Sequence, residues 1–459
     1  MFADIDLFDF AEKQGIIREG FILTQEYIPD KIISRDDQIK EIALLTKPMF
    51  RGSYPKHCLI NGPVGSGKTI VANHVFSRLS EKIEQDKLKL EYLKGKKEEL
   101  EVQGLTLENE DKQQYELLSY IVPNVNIKWV HISCRETPTP AGILYKIITY
   151  LEPTINLARR GTFKDVYYNR LYDIIRTKNI GLIAVFDEID FLTDDSILYN
   201  FSRALAAGNL TDRQFITVIG ITNALESDKT LDDRVKSSTI FEKIVFPPYS
   251  VDDIFHILSA RIKKAFAPNS IDMETLITCA SRAHDAGGDI RFALKVLKTA
   301  AEFAEEDEKN IIEIPDIYLA FEAVQKNELI ETLRKLTRRQ QIVLLAIIKL
   351  LAYKFTPTTG QITQVYSLLC KYLELDTLDT TIVSKSISTL ELFNIIQVYS
   401  SNEGRRGGNT RLVTVKGEDQ EKIKDTLYDD DVLEGLKLYN PIEDNQHIIY
   451  ENNRKRGYI

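Results

Sequence analysis

His57-Cys58-Leu59-Ile60-Asn61-Gly62-Pro63-Val64-Gly65-Ser66-Gly67-Lys68-Thr69 opens with a short apolar run, passes through a glycine-rich loop and feeds Val71, Val75 and Leu79, which recur at helical spacing. Gly62 to Thr69 fits GxxxxGK(S/T) in the context that motif needs, a strand before it and a helix after it. Gly62, Gly65 and Gly67, with Pro63, Val64 and Ser66 between them, let main-chain N–H groups turn toward a polyphosphate. Lys68 then neutralises the β- and γ-phosphates, Thr69 offers a hydroxyl to Mg2+, and the start of the helix presents a favourable dipole end. The expected ligands are ATP or ADP with Mg2+.

Strand signals return at residues 127–132, 181–186 and 215–221, the last two as nearly continuous apolar runs that suit strands covered on both faces. Helical patterns lie between them. The fold expected is α/β, a mostly parallel sheet with right-handed crossovers. Between Glu81 and Val122, 11 acidic and 7 basic residues, sparse apolar positions and breaks at Gly95 and Gly104 predict an inserted, solvated helical hairpin.

Asp187 and Glu188 follow directly on the buried run Ile183 to Phe186, at the strand end where open α/β sheets bind ligands. Asp187 is placed to hold the Mg2+ shell and Glu188 to act as general base on a water. Asn223, after the third run, reaches the same sheet edge. Arg234 in Leu231-Asp232-Asp233-Arg234-Val235 and Arg291 in Gly288-Asp289-Ile290-Arg291 are candidate guanidinium partners of the γ-phosphate.

After Pro247-Pro248 the pattern is helical to Leu336. Three helical segments follow at about 338–351, 359–373 and 380–392, then strands near 395–400 and 411–415, the order of a winged helix-turn-helix. Residues 330–416 hold 12 basic and 6 acidic side chains inside a chain of net charge −9, so any nucleic-acid footprint is regional. Thr380, Thr381, Ser384, Lys385 and Ser388 are expected on the outer face of the third helix, with Ile382, Ile387 and Leu390 toward the core. Arg405, Arg406 and Arg411 lie on or beside a glycine-rich hairpin tip that suits phosphate or minor-groove contact. If Lys385 and these three arginines each neutralise one phosphate, binding weakens with salt at a log–log slope of about −3.6.

The boundaries read from these shifts are 1–248 for the nucleotide-binding base with its insertion at about 81–122, 249–336 for a helical lid, 337–416 for the winged helix and 417–459 for an acidic tail without a fold assignment. The 459 residues, 43% of them apolar, bury more than one core. Four dispersed cysteines read as reduced core thiols, and an acidic start with no long apolar run reads as a soluble intracellular chain without membrane contact.

The phosphate loop, FDEID, GITN, LDDRVKSS with the following IVFPPYS, GGDIRFAL and the winged-helix ending together resemble the AAA+ ATPases. Within them the match is to the archaeal origin-recognition and helicase-loading initiators, relatives of the eukaryotic origin-recognition complex subunit and its cell-division-control partner. The match runs from about Tyr27 to Val415. It implies a RecA-like αβα base with an α-helical lid and a C-terminal winged helix, slow ATP hydrolysis, and action as an ATP-dependent, origin-binding initiator in the nucleoid of an archaeal-type cell. The implied partners are double-stranded origin DNA, the minichromosome maintenance replicative helicase and other initiator subunits.

By the same resemblance Asn223 matches the first sensor, Arg234 a finger-like arginine and Arg291 the second sensor, while Ile28, Pro29 and Arg35 line the base pocket and Tyr249 borders the nucleotide. Arg159 and Arg160 fall in a stretch that touches DNA in the family. Three features depart from the family pattern: the insertion at 81–122, Asp233 where proline is common, and the acidic tail. Two other readings of the layout stand beside the initiator, an ATP-switched transcriptional regulator and a clamp-loader-like motor.

Overall fold

Strand β3 (Ile180–Asp187) shows why the central sheet is covered on both sides. Leu182, Ala184 and Phe186 enter one apolar cluster and Ile183 and Val185 another, the period of two that sends alternate side chains to opposite faces. The computed structural model describes residues 15–51, 53–122, 125–157, 163–211, 214–223, 241–354, 356–377, 379–393, 395–402, 409–415, 417–443 and 445. It places β3 beside β2 (Asn126–Ser133) and β4 (Phe215–Thr222), with β1 (Cys58–Asn61) and β5 (Glu242–Val245) beyond, in the order β2-β3-β4-β1-β5. Every pairing in this sheet is parallel, so all five carboxyl ends share one edge.

One face is covered by α4 (Pro140–Leu151), α5 (Lys164–Thr177) and α6 (Ser196–Ser202), the other by α1 (Asp36–Thr46) and the first turns of α2 (Lys68–Val102). Helix α2 runs unbroken for 35 residues into the charged insertion, and α3 (Asn109–Ile121) returns along it. Gly95, expected to break the helix, lies within it. An exposed mid-helix glycine costs only about 1 kcal/mol, and Lys96–Asp111 at 2.6 Å together with buried Leu93, Leu107 and Leu118 holds the segment helical. The break falls at Gly104, whose φ of 70° allows the chain to reverse while Leu105 N–H bonds Leu100 O at 2.8 Å.

Helices α7 (Val251–Ala265), α8 (Met273–Asp285), α9 (Ile290–Glu306) and α10 (Ile314–Lys335) follow the sheet. Ser250 and Asp253 close a capping box on α7, Asp272 caps α8, and Asp289 caps α9. The amino-terminal segment is tied to α7 through Arg18 N–H to Ala265 O at 2.8 Å and Arg261 Nη1 to Ile22 O at 2.8 Å.

The chain divides into two compact units, Met1–Ile317 and Tyr318–Ile459. In the second, α11 (Arg338–Leu351), α12 (Thr359–Tyr372) and α13 (Thr380–Leu392) precede an antiparallel pair, β6 (Gln397–Asn402) and β7 (Asn409–Thr414), a winged helix. The core positions of α13 are Val383, Ser386, Ile387 and Leu390, whereas Ile382, expected inward, is 41% exposed. The helical period forces this choice: once Val383, Ile387 and Leu390 share the inner stripe, Ile382 is turned off it by one residue, about 100°.

The acidic segment that carried no fold assignment forms α14 (Gly417–Tyr428) and α15 (Asp431–Glu434). Ile423, Leu427, Leu433, Leu436 and Ile442 are buried in the same cluster as the winged helix, so this segment completes that core. Arg338 pairs with Asp430 at 2.6 Å, and Lys349 Nζ donates to Leu436 O at 2.9 Å and Tyr439 O at 2.8 Å. Among the described residues no helix is long and apolar enough to cross a membrane, and the four cysteines are free and buried.

Candidate functional site

Gly67, at φ 89°, is the residue before α2, and no side chain caps the helix start. The first N–H groups of α2 therefore face the loop unclaimed by a cap, the arrangement that binds anions. Gly65, at φ 73°, has no room for a Cβ because the Asp289 carboxylate packs against it, and the Tyr249 hydroxyl closes on Gly67 in the same way. The loop is thus gripped from the side of the helical domain.

Lys68 is 5% exposed, and its ammonium donates to Gly62 O at 2.8 Å, Pro63 O at 2.7 Å and Asn223 Oδ1 at 3.0 Å. Burial drives its pKa down to about 8; Asp187 opposes the shift and Arg291 reinforces it. Thr69 Oγ1 donates to Asp187 Oδ2 at 2.7 Å, and His131 Nε2 lies 3.2 Å from the same oxygen. Burial works to raise the Asp187 pKa, but hydrogen bonds from His131 and Thr69 outweigh it and leave this carboxyl below the ordinary aspartate range.

Glu188 leaves β3 with a φ of 53°, a left-handed conformation of the kind found where function over-determines the backbone. Its pKa is raised, first by burial; Arg135 at 3.6 Å pulls it back, while neighbouring Asp187 adds to the rise. Arg291 pairs with Asp289 at 3.2 Å, and Asp289 also accepts the Arg291 main-chain N–H at 2.8 Å.

Arg35, expected beside the base, is 3% exposed and lies beneath the loop: Nε donates to Ser66 O at 3.0 Å, Nη2 to Pro247 O at 2.7 Å, and the guanidinium stacks 3.8 Å from the centre of the Tyr249 ring. Ile28 is 69% exposed and Pro29 half-buried. Arg234 lies outside the described residues. His131, Asp190 and Asp289 were not singled out from the sequence. His131 alternates with Trp129 and Ser133 along β2, but what brings it to Asp187 is the β2–β3 register, Ser133↔Asp187, which the sequence does not display.

In the second unit Thr381 and Lys385 are exposed on α13 and Ser384 is half-buried. Arg411 is engaged with that helix, donating to Ser388 Oγ at 3.0 Å and Ser384 Oγ at 3.4 Å and pairing with Glu391 at 3.2 Å. Arg159, Arg160, Arg405 and Arg406 lie outside the described residues.

If Lys68 holds phosphate, it does so as the ammonium, so that part of nucleotide affinity is fully present well below pH 8 and is lost as pH rises through about 8. Affinity is expected to fall about tenfold between about pH 7 and pH 9, with a proton taken up per nucleotide bound at the upper end. Calorimetry in buffers of different ionisation enthalpy reads this directly; a flat profile would show that Lys68 keeps its proton throughout.

A parallel sheet of this order, with a phosphate loop after β1, carboxylates after β3, a polar residue after β4 and an α-helical lid, defines an AAA+ ATPase fold. Residues 255–322 match the Cdc6 AAA+ ATPase-type lid domain, and residues 331–426 match the CDC6 C-terminal winged helix domain. The chain is similar over most of its length to ORC1-type DNA replication proteins, in line with the two Cdc6 domain matches. It is 29% identical over 423 residues to the ORC1-type DNA replication protein 1 of Sulfurisphaera tokodaii, covering 91% of this chain and 95% of that one. With the corresponding Archaeoglobus fulgidus protein the figures are 27% over 440 residues, 95% and 96%. Among solved structures, the Aeropyrum pernix ORC1 protein in complex with DNA superposes with a TM-score of 0.67 at 26% identity, covering 92% of this chain and 100% of that one.

Proposed function

We propose that this chain is an ATP-dependent, DNA-binding initiator of replication that recognises origins and helps to recruit or load the replicative helicase. The observation that carries this reading is the likeness, over 92% of the chain, to an ORC1 protein solved in complex with DNA. The local charge of the winged-helix region supports it.

Lys68 and the main-chain N–H groups of the loop hold the β- and γ-phosphates. The Thr69 hydroxyl and the Asp187 carboxylate, 2.7 Å apart, form a pair of hard oxygen donors that suits Mg2+. When bound, the ion draws charge from the phosphate oxygens. Glu188 accepts the proton of the water that attacks the γ-phosphorus, and the bond to the β–γ bridging oxygen breaks to leave ADP and phosphate. Asn223 contacts the γ-phosphate beside Lys68. Arg291 serves from the lid, Arg234 as the finger-like arginine, and Ile28 and Pro29 on the base side. Arg35 and Tyr249 act from beneath, holding the loop in shape. Hydrolysis is slow and resets the DNA grip.

On the second unit Thr381, Ser384 and Lys385 face DNA, Arg411 fixes the wing to α13 as well as adding charge, and Arg405 and Arg406 meet the phosphates; Arg159 and Arg160 add a contact from the first unit. Other initiator subunits and the helicase complete the assembly. Duplex affinity measured with ATP, with ADP and with neither is expected to differ, and equal affinity in all three states in well-folded protein overturns the switch. Arg405→Ala combined with Arg406→Ala is expected to weaken binding to unrelated duplexes alike and to flatten the salt slope by about 1.8. An unchanged salt titration removes the wing from the interface. Genome-wide occupancy concentrated at AT-rich repeats supports origins, whereas a single promoter operator supports a regulator.

A further inference from the structure

Strands β3 and β4 pair as far as Phe186↔Gly220, and β1 pairs with β4 as far as Asn61↔Thr222. Asn223 is therefore the first residue past the ladder. Its main-chain N–H donates to Asp190 Oδ2 at 2.9 Å, and the buried Thr222 hydroxyl donates to Asp190 Oδ1 at 2.6 Å. Both oxygens of one carboxylate thus clamp two successive residues at the end of β4. Such charge-assisted, two-point contacts are the stronger class of hydrogen bond and fix orientation as well as distance.

Asp190 reaches this position because Glu188, at φ 53°, turns the chain out of β3 into a single 3-10 turn, Ile189–Phe191. The clamped residue then presents its side-chain Oδ1 to Lys68 Nζ at 3.0 Å. We infer that Asp190 is a positioning residue of the nucleotide site: it holds the end of β4 so that the Asn223 amide meets Lys68 and the γ-phosphate, and it locks Asn223 to the segment that carries Asp187 and Glu188. This rests on the reading of Asn223 as the γ-phosphate contact. A site whose reacting groups must sit within a fraction of an ångström depends on such supporting contacts.

The test uses the full chain with Asp190→Ala, Asp190→Asn, Asn223→Ala and the Asp190→Ala/Asn223→Ala pair, measuring ATP and ADP affinity with a fluorescent nucleotide and hydrolysis in a single turnover. Asp190→Ala is expected to keep ADP affinity, to lose part of the preference for ATP over ADP and to slow hydrolysis about 100-fold, as loss of an aligned transition-state contact does. The pair is expected to be no slower than Asn223→Ala alone, because both changes remove the same contact. Asp190→Asn keeps one acceptor oxygen and falls between; it carries the comparison if Asp190→Ala fails to fold. Wild-type turnover and ATP preference in the Asp190 variants beside a slow Asn223→Ala overturn the inference and leave the reading of Asn223 standing. Defects that multiply in the pair overturn it as well, and wild-type turnover in Asn223→Ala overturns both.

Discussion

Lys68→Ala in the full chain is expected to weaken ATP and ADP binding by at least about 100-fold, or about 2.7 kcal/mol, and to make DNA affinity indifferent to nucleotide. The lysine is the only cation inside the loop, and hydrogen bonds to a charged group contribute about 1.5–3 kcal/mol each. Removing it also strips Gly62 O, Pro63 O and Asn223 Oδ1 of a shared donor. The fold should survive. A buried ammonium whose pKa has fallen to about 8 is already held at a desolvation cost, and its loss offsets part of the lost hydrogen bonding. Thermal unfolding beside a fluorescent-nucleotide titration separates the two effects: an intact transition with nucleotide affinity unchanged would take Lys68 out of the site.

Glu188→Gln is expected to bind ATP within about threefold of the parent and to hydrolyse it about 100- to 10,000-fold more slowly, the range for loss of a general base. Glutamine preserves the volume and the reach toward Arg135 but has no basic oxygen to take a proton. The raised pKa of Glu188 strengthens the expectation, because burial brings the carboxylate nearer the proton affinity an activated water requires. The measurement is a single-turnover assay with nucleotide occupancy checked in the same sample. Full turnover would place the base elsewhere, and loss of binding would make Glu188 a structural contact. Trapped with ATP, this variant also reports the DNA affinity of the ATP state without decay to ADP.

Much of the architecture was legible because it is local. Continuous apolar runs marked β3 and β4, and the three helices of the winged helix begin at capping residues, Thr337, Thr358 and Asp379, that the sequence displays openly. Strand β5 escaped notice because it is four residues long with a single buried position, Ile244, and its existence depends on pairing with β1. Gly95 misled because propensity weighs about 1 kcal/mol against packing by a whole antiparallel partner helix. The tail carried no fold assignment because its exposed acidic residues, such as Glu421, Asp425 and Asp429, hide the pattern in which Ile423, Leu427, Leu433 and Leu436 supply a buried stripe.

The site divides along the same line. Gly62 to Thr69 and Asp187-Glu188 announce phosphate and metal chemistry through residue type and spacing alone, since the groups that act together are neighbours in the chain. Their assembly is another matter: Lys68 meets Asn223 across 155 residues and Thr69 meets Asp187 across 118, distances closed only by the β3-β4-β1 order of the sheet. The roles of Asp190 as a clamp, of Arg35 as a brace under the loop and of His131 beside Asp187 likewise depend on which strand ends share an edge. Spacing along a chain constrains what adjacent side chains can do, whereas hydrogen bonds and burial depend on distance in space, and that is set when the strands choose their neighbours.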